Sequence, residues 1–373
     1  MTYGFTPPPY PYELLDNVRS IANSLPGGMV DLSIGTPCDP VPEIIASAMS
    51  SKDAVDSARP YPPSIGNDIF LSAISEWFLK ILGTKVPQDS IAASIGSKEF
   101  VTGLPAILKL RKPSQDTVLY PAISYPSYAM GAELANCRPV GVAVNADWRI
   151  DLSSIKKEDA ERALCLWVNS PGNPSGVLDD LESVVEWGKE NDVIIISDEC
   201  YLEFTWSDSP KSVLQTGLEG VIAVHSLSKR SNFAGMRVGF YAGDQEIVKY
   251  VKEVRKHQGF MLPGPAQIAG AVALSDQKHV EDQRNLYVNR LSKLISIFSS
   301  IGIEAEMPEG AFYLWIQTPH GDSWGLIKYL AEKLGMVVTP GEFFGKGGKG
   351  HIRVAAVATD DRIELLEKRA GVG

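Results

Sequence analysis

Between residue 91 and about residue 243 the chain alternates short apolar runs with longer stretches that carry Lys, Glu and Asp on one side. Thr117–Tyr120, Arg138–Val144, Ala163–Val168, Val193–Ser197, Gly220–His225 and Val238–Ala242 are nearly unbroken in apolar residues and short, which predicts strands buried on both faces. Ser97–Leu110, Ser127–Ala135 and Leu178–Glu190 lie between them and read as amphipathic helices. Such alternation predicts an α/β fold with a mainly parallel sheet sandwiched by helices.

After about Gly243 the pattern changes. Gln245–His257, Pro265–Ile301, Ser323–Leu334 and Asp360–Lys368 read as helices, and Ile303–Ala305, Ala311–Ile316, Met336–Thr339 and His351–Val357 as strands. This is an α+β segment, expected to form a smaller domain that the N-terminal segment joins. The expected division is 1–44 (arm and part of the small domain), 45–262 (large domain) and 263–373 (small domain). Pro7 to Pro9 make the first ten residues an extended arm. A length of 373 residues, with 44% hydrophobic and 21% charged, supports about two domains with full cores.

The net charge of -10 argues against nucleic acid as a partner, which wants a basic face. Cys38, Cys137, Cys165 and Cys200 show no CxxC spacing, so neither a metal site nor a disulfide framework is expected. The N-terminus lacks the basic and apolar regions of a signal peptide, and no run of about 18 apolar residues appears. A cytoplasmic protein without a membrane partner is the expectation.

Several polar motifs follow the expected strands. Ser226-Leu227-Ser228-Lys229 places a lysine beyond the carboxyl end of a buried strand, where open α/β sheets bind ligands. Desolvation there lowers the lysine pKa and frees the amine for attack on an aldehyde, though a surface loop lysine fits the same pattern. Ser226 and Ser228, with Arg237 eight residues after Lys229, suit a phosphate dianion. Asp198, in Ser197-Asp198-Glu199-Cys200-Tyr201, suits a protonated ring nitrogen or, equally, a helix cap. Asn169 to Gly176 form a Pro- and Gly-rich loop that presents Asn173. Gly96-Ser97-Lys98-Glu99 opens a helix and offers free N–H groups to an anion. Tyr125 follows another strand and can stack on a flat ring. Arg353 sits in an apolar strand, so it needs an anion, either a ligand carboxylate or an internal partner.

In chain order, GSKE, YPxY, NSPGNPSG, SDECY, SLSKRSNFAGMRVG and HIRVA resemble the fold-type I, class I/II, aspartate-aminotransferase-like aminotransferases over nearly the whole chain. The resemblance implies pyridoxal 5'-phosphate as cofactor and amino and oxo acids as substrates. It implies Lys229 as the Schiff-base lysine, Asp198 as partner of the pyridine nitrogen, and Tyr201 with Asn173 on the phenolic oxygen. Ser97, Lys98, Ser226 and Arg237 resemble the phosphate cup, and Tyr125 the stacking aromatic. Arg353 resembles the arginine that grips the substrate α-carboxylate, and Gly35 lies where a mobile N-terminal segment closes. Tyr61 resembles a tyrosine that reaches the phosphate of a neighbouring subunit, which implies a homodimer. A Leu-Arg pair common among relatives is replaced here by Ile69-Phe70-Leu71-Ser72-Ala73.

Asp31 to Pro42, GSKEFVTGLP, SLSKRSNFAGMRVGF and Arg255 to Met261 look closest to the actinobacterial type of N-succinyldiaminopimelate aminotransferase, an enzyme of lysine biosynthesis with glutamate as amino donor. Such a substrate has further carboxylates, for which Arg255, Lys256 and His257 are candidates alongside the reading of a solvated helix face. A carbon–sulfur β-lyase on the same fold shares the expected cofactor contacts. A non-catalytic regulatory module usually carries an N-terminal DNA-binding domain, for which the first 30 or so residues leave little room.

Overall fold

A computed structural model describes residues 4–8, 11–206 and 208–372. Of the arm expected over the first ten residues, 1–3, 9 and 10 lie outside the described residues, and 4–8 carry no helix or strand. After β1 (Val30–Asp31), seven strands form the central sheet. They are β2 (Ile91–Ile95), β3 (Thr117–Pro121), β4 (Arg138–Val142), β5 (Ala163–Asn169), β6 (Ile194–Asp198), β7 (Val221–Ser226) and β8 (Val238–Gly243). Their order is β2-β8-β7-β6-β5-β3-β4. The run β4, β3, β5, β6, β7 is parallel, and β8 is antiparallel to both of its neighbours. The sheet is therefore mainly parallel, as the apolar runs predict. The exception has a physical cause: residues 227–237 between β7 and β8 hold only a four-residue helix and a short 3-10 turn, and a parallel return needs a full crossover.

The strand β2 is not among those singled out from the pattern. Its sequence, IAASI, is rich in Ala and Ser rather than β-branched residues, and pairing with β8 decides its state. The sheet is buried on both faces. One core includes Phe70, Trp77, Phe78 and Phe240, and the other Phe100, Tyr128, Trp167 and Tyr241.

Beyond β8 lie β9 (Tyr313–Gln317), β10 (Met336–Val337), β11 (Thr339–Pro340) and β12 (His351–Ala355). The antiparallel order β11-β12-β9 forms a second sheet, and β1 pairs in parallel with β10. A third core joins Leu15, Val18, Ala22, Val30 and Leu32 of the N-terminal segment to this sheet and to the helices Lys278–Ser300 and Ser323–Leu334.

Three expectations change. Residues 303–305 form no strand. The single helix expected over 265–301 is two, Gly264–Ser275 and Lys278–Ser300. Asp276 between them is extended, and its carboxylate accepts from the His279 N–H and ring, so it caps the second helix instead of continuing the first. Finally, the boundary expected at 263 does not follow the packing. Helix Gly264–Ser275, built of Ala and Gly, lies in the large core through Ala266, Ala269 and Ala273. Among the described residues, no helix is long and apolar enough to cross a membrane.

Candidate active site

The parallel run and β2 end their strands at one edge of the large sheet, and β8 starts there. Asn169, Asp198 and Ser226 are the last residues of β5, β6 and β7, Gly96 follows β2, and Arg237 precedes β8. Lys229 lies one turn past β7 in the helix Leu227–Arg230. The Ser226 hydroxyl caps that turn, accepting from Ser228 N (3.1 Å), and bonds the Ser228 hydroxyl at 2.8 Å.

The Lys229 amine donates to the Gly35 carbonyl and lies 5.8 Å from the centre of the Phe312 ring. Burial lowers its pKa from 10.5 to about 8. Arg353 and Arg237 push the same way, against Cys200 and Asp198. Asp198 is buried, and Tyr128 donates its hydroxyl to Asp198 Oδ2 at 2.9 Å. Burial raises the Asp198 pKa, opposed by hydrogen bonds from Cys200 and Tyr128 and by the Lys229 charge. Asn169 ties the neighbouring strand end to this carboxylate's own carbonyl, donating to Asp198 O at 2.8 Å, and accepts from Asn173 N at 2.8 Å.

The second sheet supplies the opposite wall. Arg353 in β12 is 2% exposed. Its Nη1 donates to Asn173 Oδ1 (2.8 Å) and its Nη2 to the Ser33 carbonyl (2.6 Å). The guanidinium lies 4.4 Å from the Tyr313 ring centre and 4.6 Å from that of Phe344. Its Nε is buried without a hydrogen-bond partner. No carboxylate answers this charge among its hydrogen bonds, so the internal salt bridge that the sequence left open is not what holds it. The hydroxyls of Tyr201 and Tyr313 share a hydrogen bond of 2.7 Å, which brings Tyr201 to the same wall.

Gly96 and Gly35 mark close approaches. A Cβ on Gly96 would lie 2.4 Å from an Arg237 guanidinium nitrogen, and its φ of +71° favours glycine. A Cβ on Gly35 would meet the Tyr313 hydroxyl at 2.1 Å. Ser97, half-buried at the start of helix Gly96–Arg111, hydrogen-bonds Cys200, while Lys98 is exposed beside it. Tyr125 packs edge-on against Tyr128, with ring centres 6.1 Å apart. Lys229, Asp198, Arg237 and Arg353 thus lie close enough to act on one another's charge at this edge of the large sheet.

The model of the family aminotransferase class I and II matches residues 27–368. This chain belongs to that family. It is 34% identical over 370 residues to the 4-dedimethylamino-4-oxo-anhydrotetracycline transaminase OxyQ of Streptomyces rimosus, spanning 97% of this chain and 98% of that protein. It is 33% identical over 373 residues to the LL-diaminopimelate aminotransferase of Aquifex aeolicus, spanning 97% and 96%. Among solved structures it is similar to a probable N-succinyldiaminopimelate aminotransferase from Thermus thermophilus, with a TM-score of 0.86, 26% identity, and 97% and 100% of the two chains covered.

For this aminotransferase, two expectations about site residues need restating. Arg255 is not available to a distal substrate carboxylate. It is buried, forms a two-pronged ion pair with Glu99 (2.6 and 2.8 Å), and lies 5.4 and 4.8 Å from the Phe100 and Phe260 ring centres. Lys256 and His257 are exposed beside it. Tyr61 is 93% exposed and lies outside the cluster within this single chain.

The sequence reading passed over Tyr128, Tyr313, Phe344 and Ser33. Tyr128 lies in the first turn of helix Ser127–Leu134, three residues after Tyr125, which precedes that helix. Ser33 acts through its backbone carbonyl, which no side-chain pattern reveals.

Proposed function

We propose that this aminotransferase holds pyridoxal 5'-phosphate on Lys229 and exchanges an amino group between glutamate/2-oxoglutarate and N-succinyl-LL-2,6-diaminopimelate, with glutamate as donor in lysine biosynthesis in the cytoplasm. The observation that carries the reading is the Lys229 amine, its pKa lowered to about 8, at the same sheet edge as Asp198 and opposite an Arg353 that has no carboxylate hydrogen-bond partner among the described residues. The donor set fits the cofactor. The N–H groups at the start of helix Gly96–Arg111, the Ser226 hydroxyl and Arg237 suit its phosphate. Asp198 suits the protonated ring nitrogen, Tyr201 and Asn173 the phenolic oxygen, and Tyr125 the ring face. When bound, the cofactor supplies an electron sink for the pair left at the substrate Cα.

The protein supplies the rest. Arg353 binds the α-carboxylate in a two-pronged contact, oriented by Asn173 and by the Tyr313 and Phe344 rings. With the cofactor bound, the Lys229 amine would be the base that takes the substrate Cα proton and the acid that returns it, a role suited to a pKa near the working pH. Residues 33–35 close the space from the N-terminal side, since the Ser33 and Gly35 carbonyls reach Arg353 and Lys229. We take residues 1–44 and the chain beyond helix Gly264–Ser275 as the smaller domain that moves in this closure. We take the active unit as a homodimer in which Tyr61 reaches the phosphate of the other subunit. The names of the Aquifex and Thermus relatives support a diaminopimelate-type substrate.

The test mixes cofactor-loaded protein with N-succinyl-LL-2,6-diaminopimelate in the absence of an acceptor and follows the visible cofactor band. The expected result is loss of the band and its return on adding 2-oxoglutarate. No change with that substrate, but loss of the band with glutamate or another amino acid, would overturn the proposed substrate and keep the aminotransferase. Release of pyruvate and ammonia from a cysteine conjugate without acceptor would instead favour the β-lyase.

A further inference from the structure

Directly behind Asp198 lies a buried acid that the chemistry above does not use. Glu199 follows the last residue of β6, and His225 is the penultimate residue of β7. Their side chains are 0% and 4% exposed, with Glu199 Oε2 3.3 Å from His225 Nε2. Three aromatic rings enclose the imidazole: Phe240 is stacked at 5.0 Å, and Trp77 and Phe78 stand edge-on at 5.1 and 5.3 Å. The other Glu199 oxygen accepts from Val213 N at 2.9 Å, and the Ser212 hydroxyl also bonds this carboxyl.

The placement of the proton follows from the donor count. The His225 ring hydrogen-bonds the main-chain carbonyl of Glu199, and Nε2 is the ring nitrogen left without a partner, so Nδ1 makes that bond. A neutral ring has one N–H, so Nε2 then presents a lone pair toward Oε2. Oε2 and Nε2 face each other at 3.3 Å without a well-aligned N–H···O bond, and the Ser197 hydroxyl lies beside the same carboxyl. A proton on Oε2 satisfies both.

We propose that Glu199 is a neutral carboxylic acid that donates its proton to His225 Nε2. The pair is a positioning device: it ties the active ends of β6 and β7 together and leaves Asp198 as the ionised partner for the cofactor. The role toward Asp198 rests on the cofactor reading above, whereas the protonation state does not.

The charges around the pair agree. Arg230 disfavours a charged His225, and its own ion pair goes to Glu203. Asp198 disfavours a charged Glu199. Cys200 and Glu203 line the remaining void beside the pair. Burial pushes Glu199 up to about 7 and His225 down to about 3. An imidazolium ion paired with a carboxylate in this aromatic enclosure would instead require desolvating two charges.

The experiment compares wild type, Glu199→Gln and Glu199→Leu. Melting temperature is measured on the apoprotein from pH 5 to pH 8, and the ring nitrogens of His225 are read by 15N NMR. A glutamic acid with a raised folded pKa is most stabilising below its unfolded pKa, and its contribution falls as the pH climbs through about 7. Wild type should therefore lose stability across that range relative to Glu199→Gln, whose amide keeps the donor to Nε2. The NMR should show one protonated ring nitrogen in both. In the cofactor-loaded protein, the pH midpoint of the visible band should be the same in wild type and Glu199→Gln below pH 7, and displaced in Glu199→Leu. An imidazolium signal in wild type, or a Glu199→Gln several degrees less stable at every pH, would overturn the neutral pair. A Glu199→Leu band identical to that of wild type would overturn the positioning role. Failure of wild type to form a cofactor band would count against the cofactor reading alone, while the melting and NMR results would still decide the neutral pair.

Discussion

Arg353 and Lys229 show how single residues acquire chemistry from their surroundings. Both were legible from sequence because a cation beside a buried strand is costly unless something uses it. What the sequence left open was the partner. The structure gives Arg353 an amide, a carbonyl and two ring faces, and no carboxylate among its hydrogen bonds. For Lys229 the consequence is measurable without substrate. Its folded pKa lies near 8, below the 10.5 of a free lysine, so the folded state is penalised in full below pH 8, and the penalty fades as the pH rises toward 10.5. Lys229→Met should abolish transamination. It should also stabilise the apoprotein by about 2 kcal/mol at neutral pH, after allowance for partial exposure. That gain should shrink between pH 8 and 10 in denaturant titrations; a pH-independent difference would contradict the lowered pKa. Arg255 is the opposite lesson. It sits in a basic triplet that looks like a surface face, yet Glu99, 156 positions away in sequence, claims it.

At the scale of elements, buried strands and amphipathic helices were read well because their periodicity is local. The misses have local causes too: β2 is built of small residues, and Asp276 breaks a helix by capping its successor. The junction of β2 with helix Gly96–Arg111 is the most demanding of these elements. Residue 96 takes a positive φ while the Arg237 guanidinium presses on it, so no side chain fits without displacing that arginine. Gly96→Ala should cost about 1–2 kcal/mol of stability through backbone strain. It should also weaken cofactor binding tenfold or more through the displaced arginine, as read by equilibrium titration. Unchanged cofactor affinity would remove Arg237 and this helix start from the phosphate cup.

At the scale of the whole molecule, Tyr61 is a large aromatic side chain left 93% exposed on one chain, on a stretch that also exposes Val55 and Ile69. If two subunits share active sites, Tyr61→Ala and Lys229→Met damage different parts of the same site. Mixing the two variants under exchange conditions should then restore activity above that of either alone, because a mixed dimer holds one intact site. No gain on mixing, with exchange verified by mass, would place Tyr61 outside the site. The local pattern by itself determined the α/β class, most of the strands and helices, and which polar residues stand at the strand ends, because side-chain period and turn composition are encoded within a few residues. Tertiary structure alone decided the antiparallel return of β8, the pairing of β1 with β10, the bond of Tyr128 to Asp198 and the approach of Glu199 to His225. Each of these joins groups far apart in the chain, and it is packing across the sheets, not any short stretch of sequence, that brings them within hydrogen-bonding distance.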